Sequence, residues 1–594
     1  MSAPKWWKEA VGYQIWPASY KDSNGDGYGD IPGIISTLDY VKSLGVDFVW
    51  LSPTYDSPQH DWGYDISNYE DVWPKYGTVK DMDVLIEGCH SRGMKLLLDL
   101  VVNHTSDEHA WFQESKQSRT NDKADWYIWK DPRMINGVRH APTNWKSNFG
   151  GPAWTYVPER DQYYLHICLP QQPDLNWENS TTREAIYESA IRFWLRKGVD
   201  GFRVDIVNHY SKDQSFPDAP IKFPEDEVQP MDPKFFLNGP RMHEWLQEQR
   251  REALDPFGSD VVLIGELALT STEETLRYIS SHNRELDMVF DFEWLMSGVD
   301  PNLQPYEAGP PVLSEVKAGF AKAQGFITDQ ALDSWTTVFM ENHDCTRSVS
   351  KYGDDSNPAS WSRSAKLLSM LLCTLSGMLF VYQGQEIGMT SLPETFSLGD
   401  MRDGPWIQAL EAALAKHPGD DAYRRKIMRG FRLMGRDNNR TPVQWDGCSA
   451  GAGFTSAPTP WMQLNDSYKT VNVQSQLGVP GSILEFWKRM IRLRKSPEWK
   501  DLFVYGDFEL LDPTNEKTFT LVKRSPSQDR SVLVALNFSG DEQQPVFVPD
   551  GLDLNGCRVL MSNYDDDDDA DSIVPMRETL RAWESRIYII DKAD

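Results

Sequence analysis

Residues Ala190–His209 read AIRFWLRKGVDGFRVDIVNH. The first half is amphipathic: Ile186, just upstream, Ala190 and Trp194 recur at helical spacing, and Thr181 or Thr182 is placed to cap that helix. Gly198 ends it, and GFRVD follows as a short apolar strand that finishes in charge. The same order of helix, glycine and strand occurs at Tyr40–Pro53 (YVKSLGVDFVWLSP) and at Ile86–His104 (IEGCHSRGMKLLLDLVVNH). Further strands are predicted at Val261–Leu267 (VVLIGEL), Asp287–Trp294 (DMVFDFEW), Thr336–Asp344 (TTVFMENHD) and Gly377–Gly388 (GMLFVYQGQEIG), and Val11–Trp16 (VGYQIW) precedes them all. Runs this apolar suit a parallel sheet covered on both faces. Eight such strands alternating with helices predict an α/β protein built on a (β/α)₈ TIM barrel.

Two stretches interrupt the pattern. Residues 105–174, rich in Trp, Asn, Gly and Pro, are too long for a plain loop and are expected to form an inserted subdomain over the barrel mouth. A second polar excursion runs from about 391 to 476, after the eighth strand. The barrel is therefore assigned to residues 1–104 and 175–500. Beyond the helix in SILEFWKRMIRLRK (482–495), the stretches FELLD, TFTLVKR, SVLVALNF and RVLMSNY read as antiparallel strands, giving a β-sandwich-like C-terminal domain over 501–594. The acidic run Asp565–Asp569 reads as a solvated loop.

A formal charge of -28 argues against nucleic acid or an anionic membrane as partner, so a small neutral ligand is expected. The 23 Trp and 23 Tyr suit a planar-faced ligand such as a sugar. The opening MSAPKWWKEAVGYQIW lacks the apolar core of a signal peptide. The most apolar run, Leu367–Tyr382, is shorter than the ~20 residues that span a bilayer and reads as a buried helix feeding a buried strand. Six cysteines without a CxxC pair indicate neither zinc nor a disulfide framework. A cytoplasmic monomer or weak homodimer is expected.

In a (β/α)₈ barrel the site lies at the C-terminal ends of the strands. Those ends carry Asp99, Asn103 and His104 on the third strand, Arg203 and Asp205 on the fourth, Glu266 on the fifth, and Glu341, Asn342, His343 and Asp344 on the seventh. Arg203 and Asp205 share one face because side chains alternate along a strand. Carboxylates converging without His/Cys metal spacing suit acid–base chemistry on a neutral substrate, and glycoside cleavage fits. Arg203 would keep Asp205 ionised.

The strings DLVVNH, GFRVD, GEL and ENHD, in this order, resemble the four sequence regions of the α-amylase family of glycoside hydrolases. QPDLN at Gln172–Asn176, GYDISNY at Gly63 and NRTPVQW at Asn439 resemble its oligo-1,6-glucosidase and α-glucosidase branch. The resemblance implies Asp205 as nucleophile, Glu266 as general acid and base, and Asp344 as the group holding the sugar's 2- and 3-hydroxyls. It also implies that Asp65, His104, Arg203 and His343 bind the same glucosyl unit, that Tyr64 stacks on it, and that Arg440 rather than Arg436 contacts it. Asp99 is expected to orient its neighbours. Phe149 either walls the leaving-group site or only packs its subdomain. Cys345, without a neighbouring base, is expected to be inert.

Asp22–Asp30 reads DSNGDGYGD, which looks like the start of an EF-hand, yet the twelfth position is Gly33 and not the closing Glu. Asp22, Asn24, Asp26, the Tyr28 carbonyl and Asp30 could still hold a hard cation, and the branch resemblance implies a structural calcium or magnesium ion bracing the mouth. Ile206, after Asp205, is apolar and β-branched like the Val that accompanies α-1,6 cleavage in this branch. The expected activity is a retaining α-glucosidase on disaccharides and short oligosaccharides, of isomaltose type, with maltose, sucrose and glucosyl transfer open. The alternatives are a sucrose isomerase or trehalose synthase, and an inactive transporter-subunit relative.

Overall fold

The computed structural model describes residues 5–300, 303–327, 333–393, 396–544, 558–564 and 579–590. Eight parallel strands form one sheet: β1 (Val11–Ile15), β2 (Phe48–Leu51), β3 (Lys95–Leu100), β4 (Gly201–Val204), β5 (Val262–Glu266), β6 (Met288–Phe290), β7 (Thr337–Val338) and β8 (Met378–Tyr382). Their order is β6-β5-β4-β3-β2-β1-β8-β7, and the Thr337 hydroxyl donates to the Val289 carbonyl at 2.9 Å, linking β7 back to β6. The predicted barrel is present. Its lumen is aromatic: the rings of Trp50, Phe290 and Phe380 lie 4.9–5.8 Å apart, in tilted and edge-on contacts. Gly12 is required here, because a Cβ on it would stand 2.1 Å from the Phe48 ring.

The helix before β4 departs from the expected cap. Asn179, not Thr181 or Thr182, accepts hydrogen bonds from the Thr181 and Thr182 amides and starts helix Ser180–Ile186. A π-helical stretch, Tyr187–Arg192, leads into Phe193–Lys197, which Gly198 ends at φ 103. Ile186, Ala190 and Trp194 are all buried, as their spacing predicts. The run Leu367–Tyr382 is indeed the end of helix Pro358–Thr374 followed by β8. Among the described residues no helix is long and apolar enough to cross a membrane.

The insertion contains a three-stranded antiparallel sheet of Trp129–Lys130, Trp154–Val157 and Gln162–Leu165. Its small core also takes Phe216, Phe235, Phe236 and Leu237, so the segment after β4 completes it. The second excursion folds back on the first loop: the Asp22 amide donates to Phe454 and the Trp461 amide to Gly27. The C-terminal strands β9 (Asp507–Leu510), β10 (Thr518–Arg524), β11 (Ser531–Asn537), β12 (Arg558–Ser562) and β13 (Ser585–Ile590) form one antiparallel sheet ordered β9-β10-β11-β13-β12. No second layer of a sandwich is found among the described residues, and Asp565–Asp569 lies outside them.

Candidate active site

Strand register assembles the site. β4 pairs with β3 so that Arg203 lies beside Asp99, and with β5 so that Val204 lies beside Gly265. One step further, Asp205 leaves β4 next to Glu266 at the end of β5. Adjacent strands are spaced about 4.8 Å apart, so the register brings these two acids close before any side chain is considered.

Arg203, 1% exposed, ties three acids together. Its Nη1 donates to Asp99 Oδ1 at 2.7 Å and to Asp205 Oδ1 at 2.8 Å, and its Nη2 to Glu266 Oε2 at 2.5 Å. The Ile206 amide also donates to Glu266 Oε2, at 3.2 Å. That amide is aimed by an unusual backbone: Ile206 has φ 31, a left-handed conformation that costs a β-branched residue of order 1–3 kcal/mol. Burial pushes Asp205 and Glu266 each up to about 7 and Asp99 to about 6, against the opposing pull of Arg203. With one cation among three acids, the cluster holds a proton at neutral pH.

Asp344 stands across from this group in a different field. Burial alone would raise its carboxyl, but His343, Arg436 and Arg440 hold it well below the usual carboxylate range. Arg440 Nη2 donates to Asp344 Oδ1 at 3.0 Å, and Arg436 Nη1 lies 3.4 Å from the same oxygen. His343 is stacked between Trp16 and Tyr64, with ring centroids 5.2 and 5.4 Å away. The Gln14 amide nitrogen donates to His343 Nδ1 at 2.9 Å, which leaves the proton on Nε2, 3.0 Å from Asp344 Oδ2. Burial lowers the imidazole's affinity for a second proton. Tyr64 Oη lies 2.6 Å from that Nε2 and 3.5 Å from Arg203 Nη1. Asp205, Glu266, Asp344, Arg203, His343 and Tyr64 are thus one connected set.

Other expected residues stand elsewhere. Asp65 is fully buried below the mouth, where it accepts from the His60 and Asp61 amides and the Ser57 hydroxyl. It organises the 57–61 loop, so its expected contact with sugar is corrected. The acid facing the site is Asp61, which pairs with Arg436 at 3.4 Å and accepts from Gln172 at 3.1 Å. The expectation of Arg440 over Arg436 is likewise revised. Arg440 is 1% exposed, donates to the His343 carbonyl and lies 4.7 Å from the Trp16 ring centre, so it acts as a prop. Arg436 joins Asp61 to Asp344 and is gripped by both oxygens of buried Asp403, at 2.6 and 2.8 Å. His104 contacts the Tyr64 carbonyl, Gln172 and Asn103 through its ring nitrogens, fixing the loop that carries Tyr64. Half-buried Phe149 lies beside Arg436, 5.7 Å from its guanidinium carbon, at the rim. Burial raises the Cys345 thiol far above neutrality.

The sequence held a hint of Asp61: HDWGYD has acids on both sides of Trp62 and Gly63, both of which adopt positive φ. Only the fold shows which acid turns inward.

In the first loop every candidate donor is a hard oxygen, which fits calcium or magnesium. Asp22, Asn24 and Asp26 each accept from an amide two residues on, a turn that keeps their side chains on one side of the loop. Asp30 accepts from Ser23 and caps helix Ile31–Ile35. Among the described residues no three acid, His or Cys side chains converge on a metal-sized gap, so a cation would also rely on Asn24 and the Tyr28 carbonyl.

Comparison with known proteins gives consistent results. The sequence model of the α-amylase catalytic domain matches residues 14–502. An α-glucosidase of Candida albicans is 48% identical over the full length of both chains. The oligo-1,6-glucosidase IMA5 of Saccharomyces cerevisiae is 41% identical over 99% of each. The crystal structure of Bacillus licheniformis trehalose-6-phosphate hydrolase superposes with a TM-score of 0.88 at 39% identity, covering 99% of this chain and 100% of that one.

Removing the charge of Asp99 takes a negative neighbour from the cluster and leaves Arg203 to the other two acids. Asp99→Asn is therefore expected to move the titration of Asp205 and Glu266 to lower pH in carboxyl ¹³C NMR spectra. Unchanged midpoints would contradict the shared-cation picture.

Proposed function

The chain belongs to the α-amylase family, and from that premise we propose that it is a retaining α-glucosidase acting on short α-glucosides, isomaltose-type α-1,6 bonds included. The observation that carries this reading is the pair of acids held on adjacent nitrogens of the Arg203 guanidinium. A retaining enzyme needs its two carboxyls about 5–5.5 Å apart, and neighbouring strand ends favour that spacing over the wider gap of an inverting one.

In the proposed sequence, the ionised Asp205 attacks the anomeric carbon as the glycosidic bond breaks, and Glu266 gives its proton to the departing oxygen. Glu266, now ionised, then takes a proton from water, whose oxygen attacks the same carbon and releases Asp205. Two inversions leave the product α. Glu266 must start protonated, which its raised affinity for a proton favours. Asp205 must start ionised, which its bond to Arg203 favours. The two acids thus share the work of one proton.

Asp344, kept ionised by Arg436 and Arg440, is suited to accept hydrogen bonds from the sugar's 2- and 3-hydroxyls. The chain of ion pairs Asp61–Arg436–Asp344 closes one end of the site, which supports removal of a terminal glucose rather than cleavage within a long chain. The α-1,6 preference is supported by apolar, β-branched Ile206 next to the nucleophile, and the relatives above include both α-glucosidases and oligo-1,6-glucosidases by name.

The DSNGDGYGD loop is proposed to hold a structural calcium or magnesium ion through Asp22, Asn24, Asp26, the Tyr28 carbonyl and Asp30. What supports this is the all-oxygen donor set in a loop that packs against Phe454, Thr455 and Trp461 of the second excursion. The ion would brace the segment that also carries Arg436 and take no part in bond cleavage.

Two outcomes are expected. Incubated separately with isomaltose, maltose, sucrose and trehalose and followed by ¹H NMR, the protein releases α-glucose first from isomaltose; β-glucose first, or no glucose from any of the four, overturns the reading. Chelator treatment lowers the thermal midpoint and added calcium or magnesium restores it, whereas an unmoved midpoint removes the cation.

A further inference from the structure

We propose that Asn208 is a positioning residue that ties the loop after β5 to the turn after β4 and so holds the Glu266 carboxyl in place for proton transfer. The inference rests on the assignment of Asp205 and Glu266 made above.

Asn208 lies three residues beyond Asp205 and is fully buried. Its Nδ2 faces three acceptors: the Ala268 carbonyl at 2.9 Å, Thr270 Oγ1 at 3.1 Å and Asn238 Oδ1 at 3.2 Å. Ala268 and Thr270 are the second and fourth residues after Glu266. The set closes on itself, since the Thr270 hydroxyl donates to the Ala268 carbonyl at 2.9 Å and the Tyr278 hydroxyl to Asn238 Oδ1 at 2.9 Å. The Asn238 amide in turn donates to the Asn208 carbonyl at 2.9 Å. One buried carboxamide therefore stitches together the segments that follow the two reacting acids.

Backbone strain shows why such a stitch is needed. The left-handed Ile206 follows Asp205, and Leu269, at φ 47, sits between the two residues that Asn208 holds. Leu269 is 79% exposed, so packing of its own side chain does not stabilise that conformation. Strained conformations persist only where the surroundings over-determine them, and here the surroundings are Ala268 and Thr270 on the Asn208 amide.

The two acids depend on this clamp unequally. Asp205 is anchored by Arg203 and by its own amide, which donates to the Leu100 carbonyl at 3.0 Å. Glu266 is the last residue of β5, so it passes straight into the clamped loop. Loosening the loop misplaces the acid first. The consequence should therefore track how much the leaving group needs a proton.

The test compares kcat/KM, which reports the first, glucosyl-forming step, on isomaltose and on α-glucosyl fluoride, whose fluoride departs with little protonation. General acid catalysis contributes about 10²–10⁴-fold. Asn208→Ala is expected to lose roughly a hundredfold on isomaltose and under about fivefold on the fluoride, the same direction as Glu266→Gln. Thr270→Val should show a smaller version of this split and Thr270→Ser, which keeps the hydroxyl, should restore the wild-type ratio. If Asn208→Ala does not fold, the Thr270 pair carries the test alone. Equal losses on both substrates, or none, would overturn the proposal. Wild-type protein inactive on both substrates, or Glu266→Gln without any split, would instead remove the assignment on which it rests.

Discussion

At the barrel mouth a single buried guanidinium, that of Arg203, faces the carboxylates of Asp99, Asp205 and Glu266. Taking each ion out of water costs several kcal/mol, and one cation cannot neutralise three acids. The parallel register of β3, β4 and β5 nevertheless leaves the side chains no other place, because it puts position 203 beside 99 and carries 205 toward 266. The surplus negative charge raises the proton affinity of the cluster and supplies a neutral acid next to an ionised one. Instability that a structural core would avoid becomes the chemical resource of the site.

The rest of the molecule holds that arrangement steady. Trp50 donates from its indole nitrogen to Asp99, and Tyr55 donates to the Asp99 backbone, so the innermost acid is fixed from two sides. The stack of Trp16, His343 and Tyr64 forms the opposite wall and presents Asp344. Arg436 and Arg440 reach the same acid from the second excursion, whose position depends on contacts to the Asp22–Asp30 loop after β1. Loops distant in sequence therefore converge on the site, each anchored to a neighbour as well as to the barrel.

Much of this was legible before any coordinates. The eight strands showed because buried parallel strands are near-continuous apolar runs, and Arg203, Asp205 and Glu266 showed because strand ends place alternate residues on one face. Legibility failed where loops decide. Asp61 and Asp65 both flank a Gly-Tyr pair, and only the hydrogen bonds of the 57–61 turn bury the second and free the first. Arg436 and Arg440 bracket a 3₁₀ turn, Arg436–Asn439, and which one faces the site follows from Asp403, an acid thirty-odd residues earlier that no local pattern connects to it. The helix cap at Asn179 was missed for a smaller reason of the same kind: several capping residues stood in a row, and packing of the helix chose among them.

The most direct measurement of the central claim is covalent trapping. The chain would be exposed to 5-fluoro-α-glucosyl fluoride, which lets a glucosyl–enzyme form but slows its breakdown, and then digested for peptide mass spectrometry. The paired acids on Arg203 predict one glucosyl adduct, on the peptide containing Asp205 and at that residue. An adduct on Glu266 or Asp344, or turnover of the reagent with no adduct under any condition, would contradict the account.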